Sequence, residues 1–334
     1  MAESPKSLVE MISRNTLRFR VFSVFFSFLV VFAVFALTTS NFFTLQNTKI
    51  IAFNASILII AAAGEAFVVT TRNLDVSVGS IMGLAGYSVA KYAAAHANAG
   101  VELILLGVLV GALLGVINGL IVAYGRVPSI VATLSTLSVF RGITYIMGRG
   151  IEVPSGQMPD WMARSADATF LGIPVIVILA FLIVIVLQYL LKNVPAFRRI
   201  FAVGSNPVAA VSYGLRSRQV VLFAYVMSGL LAGLAGFLYA SRVGTVTVNL
   251  GRGWEITVLA AVVIGGVSTM GGIGNLYGVL FGAMILATIN NGLVLAGAPE
   301  FWRMFIQGSA IVGAITIDAV IDQRVRKVFA RGNS

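Results

Sequence analysis

The chain has 334 residues, 58% hydrophobic and only 10% charged, with a mean hydropathy of +0.97. A soluble domain carries about 25% charged residues and exposes apolar patches of at most a few hundred Å², so a water-soluble globular fold is excluded. The net charge of +11 comes from Lys and Arg scattered between apolar runs, which excludes a nucleic-acid face.

Cysteine is absent and His96 is the single histidine, which removes disulfides, thiolate sites, His-rich metal clusters and cysteine nucleophiles. Neither a catalytic residue, a metal site nor a cofactor of the chain's own is expected. The bilayer is the natural solvent, counted in spans of about 20 residues.

In chain order, Lys6, Arg14, Arg18 and Arg20 precede the first apolar run, 21–38. It is longer than the 7–15-residue apolar region of a signal peptide and continues into "TTSNFFTL", so it reads as a retained span, with a cleaved signal as the alternative. Further runs at 49–70, 76–95, 101–124, 128–147, 171–191, 219–240, 254–270, 273–296 and 300–321 bring the candidates to ten. The third, eighth and ninth are rich in glycine and small polar groups, a composition that predicts broken or re-entrant segments shielded from lipid. The fold class expected is an all-α, polytopic transmembrane helix bundle of about 8–10 spans in a single domain, 1–334.

An N-terminus inside places 15 of the 23 Lys and Arg in the cytoplasm, in the tails 1–20 and 322–334, at Arg72 and Arg126, and in the loop 192–218. Seven fall outside (Lys49, Lys91, Arg149, Arg164, Arg242, Arg252 and Arg303), and Arg141 lies within a span. That asymmetry predicts N-in and C-in. The longest outer segment, 148–168, contains Trp161, a residue type that anchors at headgroups. It reads equally as a connecting loop and as a docking surface.

"GALLGVINGLIVAYGRVP" (111–128) and "GVLFGAMILATINNGLVLAGAP" (278–299) share G-x-x-x-G, Asn-Gly-Leu and a closing Gly and Pro. Either they are a weak internal repeat or their glycines simply let helices approach. Close packing alone accounts for Gly229, Gly233 and Gly236.

Glu65, Arg141, Glu255 and Asp318 are ionisable groups in or at the edge of spans, expensive there unless paired or wet. Glu255 and Arg252 lie near a span end, and Asp318 is within reach of Arg324 and Arg326. Asn54, Ser56, Asn118, Thr133, Ser135, Thr136, Asn290 and Asn291 add uncharged polar groups. Two readings stand: they line a path that hydrogen-bonds a hydroxylated solute, or they bond helix to helix. The candidate solute path is Asn54, Ser56, Glu65, Asn118, Thr133, Thr136, Arg141, Asn290 and Asn291. No Asp/Glu/His relay of a proton pump is visible.

The apolar runs are interrupted by "RRIFAVGSNPVAAVSYGLRSRQV" (198–220). Asn206-Pro207 opens a turn or helix, and "VAAVSYGL" supplies about two helical turns, too short to span. A small-residue helix flanked by arginines at the membrane surface suits a groove on a cytosolic protein, or is an interfacial linker. No G-x-x-x-x-G-K-[ST] occurs, so any ATP-driven motor is borrowed.

Together, "NLDVSVGSIMGLAG" (73–86), "GVINGLIVAYGRVPSIVATLSTLSVFRGI" (115–143), "AVGSNPVAAVSYGL" (202–215), "GRGWEITVLAAVVIGGVSTMGGIGNLYGVLFGA" (251–283) and "INNGLVLAG" (289–297) resemble the permease subunits of bacterial ATP-binding-cassette importers for monosaccharides of the ribose, xylose, arabinose and rhamnose type. The match covers most of the chain. It implies a subunit of the bacterial inner membrane that pairs with a second permease subunit as a homo- or heterodimer, embedded in membrane lipid. It also implies two cytosolic ATP-binding-cassette ATPase modules and a periplasmic sugar-binding protein as partners. Gly204, Ser205, Asn206, Pro207, Ala209, Ala210 and Gly214 match the family's coupling helix. The chain departs from the family at Thr71-Arg72-Asn73, where a pair of glycines is common, and at Tyr213, where a small residue is usual. The alternatives are a gradient-driven carrier, a membrane scaffold or intramembrane enzyme, and, within the same class, a permease for autoinducer-2, nucleosides or branched-chain amino acids.

Overall fold

The structure, a computed structural model, describes residues 5–302 and positions 304–306, 308–309, 312–313 and 316, with side chains of the first helix described from Arg20 onward. The expectations at the Lys6, Arg14 and Arg18 side chains, at Arg303, Asp318, Arg324, Arg326, Lys327 and Arg331, and for half of the 300–321 span, lie outside what is described.

The helices follow the apolar runs: α1 (Pro5–Thr38), α2 (Leu45–Thr70), α3 (Val78–Ala95), α4 (Glu102–Ala123), α5 (Ser129–Gly148), a short α6 (Asp160–Asp167) and α7 (Val175–Asn193). Two surface helices, α8 (Pro195–Ser205) and α9 (Pro207–Ser212), precede α10 (Ser217–Arg242), α11 (Trp254–Ile264) and α12 (Leu276–Leu295). Seven helices among the described residues are long and apolar enough to cross a membrane, beginning at Arg20, Leu45, Glu102, Ser129, Val175, Ser217 and Leu276. The helical, polytopic bundle is as expected.

Of the three segments expected to be irregular, the third and ninth are regular helices, α3 and α12, and the eighth is broken as expected. α3 is one continuous helix, and it tolerates glycine and serine because residues 78–87 are all buried by neighbouring helices and meet no lipid. The expected 254–270 span is shorter: α11 has 11 residues, about 16 Å at 1.5 Å per residue. It stops at Gly265, and Gly266 follows at φ +83°. The chain reaches α11 through 243–253, a two-residue strand at Thr245–Val246 followed by a run of turns. Part of that loop is sheltered as buried non-helical backbone must be: Gly251 lies against the Gly79 and Gly83 backbone, and Val246 and Leu250 are buried, while Asn249, Arg252 and Gly253 are exposed.

The core is built on α2, α3 and α10. Gly107, Gly111 and Gly115 of α4 face Tyr225, Gly229 and Gly233 of α10 so closely that a Cβ on Gly229 would lie 2.8 Å from Gly115 Cα. Small residues four apart permit this approach, and the seam continues where Gly86 meets Gly236. Gly278 and Gly282 of α12 pack in the same manner on Gly265 and Ala261. Both G-x-x-x-G runs of the proposed repeat are therefore helix contacts.

α1 sits at the edge of the bundle, attached by rings: Phe25 and Phe281 are 4.9 Å apart, and Phe32 and Phe35 lie 5.4 and 5.6 Å from Phe42. At the end of the bundle that holds the α5–α7 connection, β1 (Val153–Pro154) pairs with β4 (Thr245–Val246), and β2 (Thr169–Phe170) forms a hairpin with β3 (Ile173–Pro174). Trp161 docks this segment onto the bundle, donating its indole N–H to the Ala99 carbonyl at 2.6 Å and stacking on Phe237.

Candidate functional site

The polar residues singled out in the sequence fall into three places. The first is the turn 71–77 between α2 and α3. Asp75 donates its backbone N–H to Glu65 Oε1 at 3.0 Å, and its carboxylate accepts from the Ser77 N–H (2.9 Å) and Ser77 Oγ (2.6 Å). Asn118 of α4 donates to Ser77 Oγ at 2.7 Å, and Ser228 of α10 to Glu65 Oε2 at 3.4 Å. The Tyr225 hydroxyl donates to the Leu74 carbonyl at 3.2 Å. From α5, Ser129 Oγ accepts the Leu74 N–H at 3.3 Å and Thr133 Oγ1 accepts the Val76 N–H at 3.2 Å.

Glu65, Asp75, Ser77, Asn118, Thr133 and Ser228 are all fully buried. This is interior wiring that ties four helices to one turn, and of the path candidates it claims Glu65, Asn118 and Thr133. A buried polar network holds when its members are mutually bonded, and here the Asn118 Oδ1 alone is left without a partner.

The second place is the surface segment. Asn206 caps α9 by accepting the Ala209 N–H at 3.0 Å, with Pro207 at the first helical position. α9 spans only Pro207–Ser212, shorter than the expected 204–215: Gly204 and Ser205 close α8, and Gly214 follows α9 in the left-handed region at φ +79°. Ala210 is buried, whereas Val208, Val211 and Tyr213 are 78%, 60% and 87% exposed.

The base of the segment is wedged into the bundle. The Gly272 N–H donates to the Thr70 carbonyl at 2.9 Å, and Gly204 fits between these two groups because it has no side chain. Arg72 completes the joint: its Nε donates to the Gly204 carbonyl and its Nη2 to the Ser205 carbonyl at 2.6 Å. Arg72 holds φ +67°, a conformation a non-glycine residue rarely adopts.

The third place is the open face of α5 and the loop that precedes α11. Arg141 donates to the Leu250 carbonyl at 2.7 Å, and the Tyr145 hydroxyl to Asn249 Oδ1 at 2.6 Å. Glu255 and Arg252 lie within electrostatic reach of Arg141. Glu255 Oε2 is buried without a hydrogen-bond partner, in space that Gly79 leaves by lacking a side chain. Ser135 and Ser138 are exposed on the same helix, among exposed Leu134, Val139, Ile143 and Ile146. Wherever it meets the membrane, a surface that carries two arginines, a glutamate, a tyrosine and an asparagine needs water or a partner over it.

The remaining candidates are dispersed. Thr136 is buried and donates to the Thr133 carbonyl, and Ser56 donates to the Ala52 carbonyl of its own helix. Asn54 is exposed elsewhere on α2, and Asn290 is half-buried. Asn291 exchanges reciprocal 2.9 Å hydrogen bonds with Asn47. Sequence reading did not single out Asp75, Ser77, Ser228, Tyr225 or Asn249. Their bonds join positions up to 163 residues apart, and only the D-x-S spacing of Asp75 and Ser77 is a local signal.

The profile of the family described as branched-chain amino acid transport system / permease component matches residues 47–315. The Autoinducer 2 import system permease protein LsrC of Yersinia pseudotuberculosis serotype O:1b is 38% identical over 295 residues, 87% of this chain and 82% of the relative. The protein of that name from Photorhabdus luminescens is 33% identical over 316 residues, 94% of both chains. The one from Yersinia pestis (strain Pestoides F) is 37% identical over 295 residues, with 87% and 82% covered. No solved structure matches.

Proposed function

Because this chain belongs to the branched-chain amino acid transport system / permease component family, and is a multi-pass transport protein of the inner membrane, we propose that it forms half of the transmembrane unit of an ATP-binding-cassette importer for a monosaccharide of the pentose or deoxyhexose class. In this reading the solute arrives from a periplasmic binding protein. Two cytosolic ATPase modules supply the energy, and the chain itself carries no catalytic residue or cofactor. α9 is the docking element, with its end of the bundle in the cytoplasm.

The observation that carries the reading is the construction of the α8–α9 segment. Its tip offers exposed Val208, Val211 and Tyr213, while its base is locked into the bundle through Gly204, Thr70 and Gly272. A short helix presenting apolar anchors from a rigid base suits a groove on another protein. The open face of α5, with Arg141, Tyr145, Asn249, Arg252 and Glu255, supports a path closed by the second permease subunit. Its donors and acceptors suit a hydroxylated solute. A second reading, import of autoinducer-2, is favoured by the names of the relatives.

The test is uptake by cells whose own importers are deleted. Labelled ribose, xylose, arabinose and rhamnose are supplied in parallel with clearance of autoinducer-2 from the medium. The reading expects ATP-dependent uptake of a sugar, and co-purification of an ATPase that Val211→Asp abolishes. Clearance of autoinducer-2 alone selects the second reading. Uptake that survives ATP depletion and stops with an ionophore replaces both with a gradient-driven carrier.

A further inference from the structure

The turn 71–77 joins two of the places described above that otherwise look independent. On one side Arg72 holds the carbonyls of Gly204 and Ser205, the last residues of α8. On the other, the backbone of Leu74 and Val76 holds Ser129 and Thr133, in the first two turns of α5. Thr133 Oγ1 also donates to the Leu74 carbonyl at 3.4 Å and the Ser129 carbonyl at 2.9 Å. Between Arg72 and Leu74 there is a single residue, Asn73, and its side chain is itself fixed by the Thr71 carbonyl and hydroxyl at 3.1 and 3.0 Å. From the docking segment to the helix that bears Arg141 and Tyr145, the route is short, polar and made of rigid pieces.

Resting on the importer reading above, we propose that Arg72 is the positioning residue that transmits displacement of the α8–α9 segment to α5, through the turn 71–77. The covalent chain leads from α8 back to α7 and from α9 on to α10. Neither of those helices carries Arg141 or the exposed serines of the candidate path. Arg72 reaches the α5 side of the molecule by hydrogen bonds that are charge-assisted and directed by a planar fork, two donors onto two successive carbonyls. A lysine offers a point charge and no such fork. The left-handed backbone at Arg72 turns its side chain toward α8, while Leu74 and Val76 are bonded to α5. That conformation is disfavoured for any residue with a Cβ; it closes α2, with the Arg72 N–H donating to the Val69 carbonyl at 3.0 Å and the Asn73 N–H to the Val68 carbonyl at 3.3 Å. Coupling between sites needs an element whose position both ends bias, and this turn is gripped at both ends.

The chain has no cysteine, so a Ser138→Cys substitution on the exposed face of α5 gives a single reporter within it. The complex of the chain with its co-purifying ATPase is reconstituted in liposomes. Labelling of the permease band by a membrane-impermeant maleimide is timed without nucleotide and after trapping with ATP and vanadate. With Arg72 present, the two rates differ by ~5-fold or more, the lower range of ordinary coupling between sites. Arg72→Gly keeps the left-handed turn and removes the guanidinium. It is expected to leave assembly and ATP hydrolysis in place and to abolish the nucleotide-dependent difference, with Arg72→Lys in between.

A difference that persists in Arg72→Gly overturns the proposal. So does equal labelling of the two states with Arg72 present, and so does failure of the Arg72→Gly complex to assemble, which makes Arg72 an assembly residue. If no ATPase co-purifies with the unsubstituted chain, the importer reading has failed and takes this proposal with it.

Discussion

Gly204→Ala is the sharpest perturbation of the joint beneath α9. The new Cβ would lie 2.6 Å from the Gly272 nitrogen and overlap the Thr70 carbonyl oxygen. Since heavy atoms rest about 3.5–4.0 Å apart, the 268–274 turn must retreat by about 1 Å. That movement breaks the 2.9 Å Gly272–Thr70 hydrogen bond and draws the Gly204 and Ser205 carbonyls off Arg72. Overpacking costs about 1–3 kcal/mol, and each lost hydrogen bond about 0.5–1.5. Alanine in a helix returns about 0.5–1, so the joint is weakened by roughly 2–4 kcal/mol.

At 1.4 kcal/mol per decade, the opened joint becomes roughly 30- to 700-fold more populated. Amide hydrogen exchange reports local opening of this kind. Exchange in a peptide covering 265–275 is therefore expected to accelerate by that factor. Gly214→Ala is the control: nothing lies within 4 Å of its added methyl, and only the φ of +79° penalises it, by about 1–2 kcal/mol and without effect on 265–275. Exchange at 265–275 within about threefold of the unsubstituted chain in Gly204→Ala would refute the reasoning.

Three other substitutions separate packing from polar roles. Gly229→Ala drives its methyl into the Gly111–Gly115 backbone and should destabilise the detergent-solubilised chain by about 1–3 kcal/mol. An unchanged thermal midpoint contradicts the close α4–α10 seam. Glu65→Ala strands the buried Asp75 N–H at about 1–3 kcal/mol, whereas Glu65→Gln keeps an acceptor and should unfold near the unsubstituted chain. Equal losses in the two would remove that hydrogen bond from the account. Asn291→Leu breaks the exchange with Asn47, is expected to cost about 0.6 kcal/mol, and should leave uptake intact. Lost uptake with unchanged stability would return Asn291 to the solute path.

The apolar runs were legible because the bilayer imposes both length and composition on whatever crosses it. Each of the helices from α2 to α5 begins and ends within a few residues of its expected bounds. α11 was overestimated because its apolar stretch continues past Ile264 in composition, while Gly265 and Gly266 end it in geometry. The surface segment was legible from its charge, and its Asn-Pro start marks the division between α8 and α9, but the joint beneath it was not legible. That joint depends on where Gly204 meets Thr70 and Gly272, residues distant in sequence.

For the polar residues, type alone did not separate roles. Asn118 and Asn291 share an Asn-Gly-Leu setting, yet one is buried beside Ser77 and the other pairs with Asn47. Arg72 showed only as a departure from a familiar glycine pair. Its grip on Gly204 and Ser205 is a long-range fact.

The ring contacts of α1 bear on how the protein is made. α1 and the residues after it find their mates far along the sequence, with Phe25 against Phe281 and the neighbouring Asn47 against Asn291, 244 residues away. At about 5–20 residues per second on the ribosome, some 12–50 s separate emergence of the two partners. Throughout that interval the leading helix has lipid or an insertion factor for company. A ribosome stalled before α12 would release a fragment whose α1 is bare on the side that α12 should cover.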